Sequence, residues 1–216
     1  RQTQYFPIEI SRAALEDCRR EMADLQSVGV VGLESDYIAG LREAARRRGA
    51  GARLLVLFLG STIGNFSEPA DTAFLRQIRE TLREGDALLL GTDLEKPVER
   101  LLPAYDDPLG VTAAFNRNLL ARINRELEGE FALRRFRHEA RFRAATRSVE
   151  MHLVSLEEQS VRIPGAGFTA RFAAGETIWT ENSHKFVLSE IADKTREAGF
   201  VLEAQWVDAE WPFAES

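Results

Sequence analysis

Apolar residues form short unbroken runs in the first hundred positions of the chain. The clearest run is residues 54–59, six consecutive apolar side chains between Arg53 and Gly60. A run of this length without polar alternation predicts a strand covered on both faces. A small polar loop follows at residues 60–65, and the Ser-Glu-Pro sequence at 67–69 predicts the start of a helix.

The same reading extends over the first ninety residues. Strands are predicted at residues 5–10, 28–31, 54–59 and 87–90, and helices at 11–25, 37–48 and 67–83. Alternation of strands and helices favours an α/β fold with a doubly wound parallel sheet.

The pattern changes after Asp93. A helix predicted from Thr112 to Gly129 places Phe115, Leu119, Ile123 and Leu127 on one face. Apolar and polar residues then alternate over 131–178, which is typical of antiparallel strands with one wet face. A helix is predicted from residues 181–183 to about 198, and a last strand over 200–207. We therefore expect a sheet domain of residues 1–95 and 185–216, with an α+β insertion at residues 96–184.

Composition narrows the classes of function. The chain has 216 residues, 44% of them hydrophobic, and a formal net charge of −6, which does not favour a nucleic-acid binder. No apolar run approaches the length of a membrane span, and no signal-peptide pattern is seen, so we expect a cytoplasmic protein. Cys18, His138, His152 and His184 lack metal-ligand spacing, so no metal is expected.

Polar side chains follow each predicted strand of the sheet domain. They are Glu9, Asp36, Asn65 and Asp93, with Thr62 in the loop before Asn65. In open α/β sheets, ligands bind beyond the carboxyl ends of the strands, and an acid there can accept ribose hydroxyls. Surface turns also favour Asp and Asn, so each residue singly fits an ordinary turn. The Gly-rich phosphate-binding fingerprint is not seen in this sequence.

Several longer strings, in collinear order, match one known pattern. They are FLGSTIGNF (58–66), GTD (91–93), AYDDP (104–108), VTAAFN (111–116), INREL (123–127), EMHL (150–153) and TENSHK (180–185). Over nearly its whole length the chain resembles the histidine-specific S-adenosylmethionine-dependent methyltransferases, the L-histidine Nα-methyltransferases of ergothioneine biosynthesis. The resemblance implies a class I, Rossmann-like methyltransferase domain with an inserted substrate domain.

The resemblance also implies roles for residues of the sheet domain. Glu9, where the family usually has Asp, resembles the acid that binds the ribose of S-adenosylmethionine. Asp36 and Tyr37 resemble the pair that contacts adenine. Asn65 resembles the residue that holds the amino and carboxylate groups of histidine beside the cofactor, with Thr62 next to it. We expect Glu9, Asp36 and Asn65 to line one crevice.

Four further residues complete the implied site. Tyr105 resembles the tyrosine that binds the substrate carboxylate, and with Asn65 it is expected to serve the reaction itself. Met151 resembles the residue that packs near the imidazole, and Glu181 and Ser183 resemble its hydrogen-bond partners. Taken singly, Ser183 also fits a helix cap, Met151 a core residue and Tyr105 a turn residue.

The expected chemistry is methyl transfer to a neutral amine, in which alignment and exclusion of water matter most. A neutral amide such as Asn65 orients the amine without favouring its ammonium form, and a carboxylate accepts an imidazole N–H. Because the Gly-rich cofactor loop and the first part of the family's substrate domain are not in the sequence, we expect weakened cofactor binding.

Two alternatives stay open: a methyltransferase of this fold acting on another aromatic amino acid, and a non-catalytic remnant. An NAD-dependent oxidoreductase is disfavoured because nothing resembles a hydride-transfer site. The expected partner is a small-molecule amino-acid substrate, histidine, with no nucleic acid and no membrane, and the expected state is a monomer.

Overall fold

The computed structural model describes residues 3–216, and helices alternate with strands over the first half of this range. The strands are β1 (Thr3–Tyr5), β2 (Ile8–Glu9), β3 (Val28–Val30), β4 (Leu33–Glu34), β5 (Leu55–Phe58), β6 (Ala87–Asp93), β7 (Phe136–Arg143), β8 (Ser148–Ser155), β9 (Gln159–Ile163), β10 (Phe168–Phe172), β11 (Thr177–His184), β12 (Trp206–Val207) and β13 (Phe213–Glu215). The helices are α1 (Arg12–Glu21), α2 (Tyr37–Arg47), α3 (Ala70–Thr81), α4 (Val98–Tyr105), α5 (Val111–Leu127) and α6 (Leu188–Glu197).

The chain forms two compact units. The first comprises the N-terminal part up to Leu57, Glu68–Leu89 and Ala192–Glu203, and the second comprises Phe58–Ser67, Leu90–Ile191 and Ala204–Ser216. These two units are defined by how the chain packs. The predicted division is a different one, because it separates a cofactor domain (residues 1–95 and 185–216) from a substrate-binding insertion (residues 96–184). That division stays a prediction.

The first unit contains the parallel strands. β1 pairs with β3 and β2 pairs with β4, both in parallel register. Helix α2 packs tightly against β2, because a Cβ atom on Gly40 would lie 2.4 Å from Cγ2 of Ile8. Glycine is therefore required at this helix position by the close approach of the strand. These pairs confirm the parallel α/β pattern predicted from the sequence.

The second unit contains the antiparallel strands. β8 pairs with β7 on one side and with β11 on the other, while β9 pairs with β10. A hydrophobic core forms beneath them, in which Leu120 and Leu153 have no exposed surface. Its other members are Phe131, Phe136, Val161, Ile163 and Phe172. The alternating pattern over 131–178 is thus confirmed.

A mixed sheet in the order β12–β13–β6–β5 includes the end of the chain. β13 runs antiparallel to β6, with Ala214 opposite Thr92, and β12 pairs with β13. The predicted strand over residues 200–207 is wrong for most of its length, since only Trp206–Val207 is a strand. The pairing of β12 is nevertheless with this sheet and not with the strands of β7, β8 and β11.

Two other expectations are wrong, and a third needs a qualification from burial. Residues 181–183 do not start a helix, because β11 continues through them and α6 begins at Leu188. Strand β5 is not covered on both faces, since Leu55 is 62% exposed. On α5 the buried side chains are Ala113, Asn116 and Leu120, so the predicted face that carries Phe115, which is 67% exposed, is not the buried one.

Candidate functional site

A cavity of about 400 Å³ opens in the second unit. Its walls come from the loop after β5, the end of β6, the end of α4, strand β11 and strand β13. The lining residues are Gly60, Ser61, Thr62, Asn65, Asp93, Tyr105, Glu181, Ser183 and Phe213. Five residues expected at the substrate site therefore meet in one place: Thr62, Asn65, Tyr105, Glu181 and Ser183.

The loop after β5 is held in one conformation by its backbone. Gly60 and Ser61 both have positive φ, at 72° and 59°. The Ser61 hydroxyl oxygen accepts a hydrogen bond of 2.8 Å from the backbone N–H of Asp93, which ties the loop to the end of β6. At Gly64 a Cβ atom would lie 2.8 Å from the carbonyl oxygen of His184, so only glycine allows the loop to approach β11 this closely.

The two residues expected to bind the ring project from β11. Glu181 and Ser183 are two positions apart on a strand, and alternate residues of a strand share a face. Met151 lies directly opposite Glu181 on β8 and is 4% exposed. Met151 is not among the residues that line the cavity, so its expected place near the substrate ring stays a prediction.

The carboxyl group of Glu181 lies in a partly buried place that disfavours its charged form. Burial raises its pKa above the ordinary value for glutamate. In residues 3–216 no side chain or backbone N–H donates a hydrogen bond to this carboxylate that would offset the burial. An acid held in this way favours a ligand that supplies a donor.

Lys185 is a buried residue beside the cavity that was not predicted as a site residue. Its side chain has no exposed surface, and its ammonium group lies 2.7 Å from Oδ2 of Asp93, 2.6 Å from the Tyr105 hydroxyl and 2.9 Å from Oγ of Ser183. Lys96 lies 2.5 Å from the other oxygen of Asp93. The TENSHK string contained Lys185, but spacing alone does not reveal a partner 92 positions away.

The buried side chain of His138 also helps to position Tyr105. His138 is 7% exposed, and its Nε2 lies 2.7 Å from the carbonyl oxygen of Tyr105. Nδ1 of the same ring lies 2.9 Å from Nδ2 of Asn116. Because the amide NH₂ donates to Nδ1, Nε2 carries the proton and donates to Tyr105. The Tyr105 hydroxyl in turn lies 2.9 Å from Oγ of Ser183.

The three expected cofactor residues of the first unit lie at strand ends and a helix start. Glu9 ends β2, and its carboxylate accepts a hydrogen bond from the backbone N–H of Ser11. Asp36 caps α2 by accepting from the backbone N–H of Ala39. The ring of Tyr37 packs edge-on against Phe74 at 6.1 Å. Since Asn65 belongs to the other unit, the expectation of one shared crevice stays a prediction.

Within residues 3–216, no group of three or more His, Cys, Asp and Glu side chains has an arrangement that could hold a metal ion. In the same residues, no helix has the length and apolar character needed to cross a bilayer.

Comparison with known proteins defines the class. The family described as "Histidine-specific methyltransferase, SAM-dependent" matches residues 1–216, and the chain belongs to this family. It is 42% identical to the histidine N-alpha-methyltransferase of Mycolicibacterium smegmatis, over 86% of this chain and 58% of the relative. It is 39% identical to the histidine N-alpha-methyltransferase of Mycobacterium tuberculosis, over 98% of this chain and 65% of the relative.

The chain thus spans about three fifths of the length of these relatives. Among solved structures it is similar to an S-adenosylmethionine-dependent methyltransferase from Clostridium acetobutylicum, with a TM-score of 0.47, 9% identity, and coverage of 97% of this chain and 72% of that chain. A likeness at that score carries no weight by itself. The predicted class I methyltransferase fold agrees with the family match and with the α/β architecture.

Proposed function

We propose that the protein transfers methyl groups from S-adenosylmethionine to the α-amino nitrogen of L-histidine, as a step of ergothioneine biosynthesis. The observation that carries the proposal is the cavity that holds Asn65 and Tyr105 together with Glu181 and Ser183. Two histidine N-alpha-methyltransferases at 42% and 39% identity support it.

The cavity is suited to an amino acid with a polar ring. Asn65 and Thr62 lie on the loop after β5, and Glu181 and Ser183 lie on β11. The proposal assigns the α-amino and carboxylate groups to Asn65 and Tyr105 and the imidazole to the β11 residues. A single amino acid that spans both sets satisfies all of these polar groups, and a buried polar group without a partner costs about 1–3 kcal/mol.

The residues present fit S-adenosylmethionine. Glu9 is a half-buried carboxylate at the end of a parallel strand, which is the position and chemistry that ribose hydroxyls require. Asp36 and Tyr37 would face the adenine, and Asn65 would lie beside the methionine part. When bound, S-adenosylmethionine supplies the methyl group on a sulfonium.

The side chains of the protein then have positioning tasks. The Asn65 amide orients the amine and, being neutral, does not stabilise its ammonium form. Tyr105 fixes the carboxylate, so that the amine is held in line for displacement. The carboxylate of Glu181 accepts a hydrogen bond from the imidazole N–H, and the Ser183 hydroxyl forms a hydrogen bond with the other ring nitrogen. The proposal includes a monomer in the cytoplasm that binds no nucleic acid.

The test is direct incubation of the protein with S-adenosylmethionine and L-histidine, followed by mass spectrometry of the amino acid. Mono-, di- or trimethylated histidine is the expected product. Parallel reactions with tryptophan and phenylalanine test the alternative of another aromatic substrate. If S-adenosylhomocysteine binds in calorimetry while none of the three amino acids is methylated, the proposal is wrong. If neither S-adenosylhomocysteine nor histidine binds, the chain is a non-catalytic remnant.

A further inference from the structure

Lys185 joins three polar groups of the cavity wall without reaching solvent. Its ammonium group carries three protons, and the structure gives it three acceptors: Asp93, Tyr105 and Ser183. All three contacts are between 2.6 and 2.9 Å, which is the range of charge-assisted hydrogen bonds. The lysine stem is fully buried, so the ammonium group is held in place by its surroundings as well as by its partners.

An ammonium group has donors and no acceptor, so both hydroxyl oxygens must accept from Lys185. Tyr105 and Ser183 also bond to each other, at 2.9 Å. That bond uses one of their two hydroxyl protons. The other proton remains, and because both residues line the cavity, it is available to a ligand. When the substrate carboxylate takes the Tyr105 proton, as the proposed function has it, the bond between the two hydroxyl groups is given up. Ser183 then still accepts from Lys185 and keeps its own proton for the substrate ring.

Glu181, on the same strand, offers the cavity a hydrogen-bond acceptor. A carboxylate only accepts, and the pKa of this one is raised by burial without a donor in the described residues to offset it. The cavity therefore presents an acceptor at Glu181 and a donor at Ser183 on the same strand face. A ring that carries one N–H and one unprotonated nitrogen matches both, and a neutral imidazole is such a ring.

We propose that Lys185 is a positioning residue that fixes the Ser183 hydroxyl as a hydrogen-bond donor toward the substrate ring, and so makes the site select a ring with an unprotonated nitrogen. The inference deepens the proposed function and rests on it. Lys185 acts through Ser183 and Tyr105, and it does not itself line the cavity.

The test compares amino acids that differ by one ring atom. Thiazol-4-yl-alanine and thien-3-yl-alanine differ only in a ring nitrogen that can accept a hydrogen bond, and thiazol-5-yl-alanine and thien-2-yl-alanine form the second such pair. Dissociation constants are measured by calorimetry with S-adenosylhomocysteine in excess. In the wild-type protein we expect the thiazole to bind about tenfold more tightly in at least one pair, which is typical for a lost buried partner.

In Lys185→Met we expect this thiazole-to-thiophene ratio to fall toward one, because Ser183 loses the donor that occupies its lone pair and can turn that lone pair, instead of its proton, toward the ring. Lys96→Met is the matched control, since Lys96 bonds to the same Asp93 and lines neither the cavity nor the hydroxyl pair. Its ratio should equal that of the wild type. A structural role alone would weaken both ligands equally in Lys185→Met, and an unchanged ratio in that variant would overturn the inference.

Tyr105→Phe keeps the test decisive if Lys185→Met does not fold. This change leaves the ion pair with Asp93 intact, and Ser183 still accepts from Lys185. The ratio should therefore stay within about threefold of the wild-type value. Its collapse in Tyr105→Phe would show that Tyr105 and not Lys185 orients Ser183. If histidine is methylated but the ratio is unchanged in Lys185→Met or collapses in Tyr105→Phe, the role of Lys185 is wrong and the proposed function still stands.

Discussion

Lys194 and Lys185 both bind carboxylates in buried or half-buried places, and they differ in their other hydrogen-bond partners. Lys194, in the first unit, contacts Glu68 and lies 2.8 Å from the buried Asp71. Burial alone would lower the pKa of Lys194, but the hydrogen bonds to Asp71 and Glu68 outweigh it and the pKa is raised. Lys185, in the second unit, divides its protons between Asp93 and two hydroxyl groups of the cavity.

The two ion pairs are chemically similar, but one contributes to stability alone and the other also positions groups of the cavity. A lysine between two acids, of which Glu68 is largely exposed, ties α6 to the start of α3 within one unit. A lysine that shares its donors with Tyr105 and Ser183 fixes the direction of hydrogen bonds in a binding cavity. Replacing the first should therefore change stability alone, whereas replacing the second should change stability and substrate use together.

The largest expected effect is that of Lys185→Met on stability. Breaking a buried ion pair by removing one partner typically costs about 3–5 kcal/mol, and Lys96 remains as a partner of Asp93. We expect a loss at the lower end of that range in urea unfolding, together with impaired use of histidine. Lys194→Met should cost about 1–3 kcal/mol and leave the KM for histidine unchanged. Equal effects of both variants on histidine use would remove the distinction between the two clusters.

The second effect concerns the acceptor on the other side of the cavity. Glu181→Ala removes the group proposed to accept the imidazole N–H, so kcat/KM for histidine should fall roughly 10- to 100-fold. The affinity for S-adenosylhomocysteine should change far less. Because a larger apolar ring loses no such bond, preference should move toward tryptophan. The same histidine-to-tryptophan ratio in wild type and variant would mean that Glu181 does not face the ring.

The sequence predicted most of the element types because buried runs and alternation follow directly from which faces are covered. It failed at residues 181–183, where polar residues before an apolar stretch resemble a helix start. Pairing of β11 with β8 overrides that local preference and places Glu181 opposite Met151. Helix α4 was missed because Pro97 and Pro103 indicate a break, yet Pro97 precedes the helix and Pro103 lies in its last turns.

The site was predicted in part for a related reason. Thr62, Asn65, Tyr105, Glu181 and Ser183 belong to matching strings, and the fold brings them to one cavity. The supporting side chains have long-range partners that no spacing reveals. Asp93 and Lys185 are 92 positions apart, and His138 is bonded to the backbone of Tyr105, 33 positions away. Such pairs arise from packing, which only the folded chain defines.

A third, smaller effect follows from the raised pKa of Glu181. In the folded state the protonated form is favoured, so stability falls as pH rises from the ordinary glutamate pKa through the raised one. The cost is fully present above that window and absent below it. Glu181→Gln should therefore unfold at higher urea concentration than the wild type at neutral pH, and at the same concentration in acid. A gap that is equally large in acid would show that ionisation of Glu181 is not its cause.

The smallest effect belongs to a carboxylate whose pKa is shifted in the opposite direction. Asp107 caps α5, accepting from the backbone N–H groups of Thr112 at 2.7 Å and Val111 at 3.0 Å. These bonds lower its pKa to about 2. The contribution to stability is therefore fully present above the unfolded-state pKa of about 3.9 and is lost as pH falls through the folded-state value of about 2.

Asp107→Ala should lower the melting temperature at neutral pH, because two N–H groups at the start of α5 lose their acceptor. The difference from the wild type should shrink as pH falls through about 2, where half of the wild-type carboxyl groups are protonated. Asp106→Ala is the adjacent control, since the side chain of Asp106 is about half exposed and lies 3.9 Å from His138. A melting-temperature gap for Asp107→Ala that does not vary with pH would assign the loss to helix propensity or packing, because capping by an ionised carboxylate must titrate.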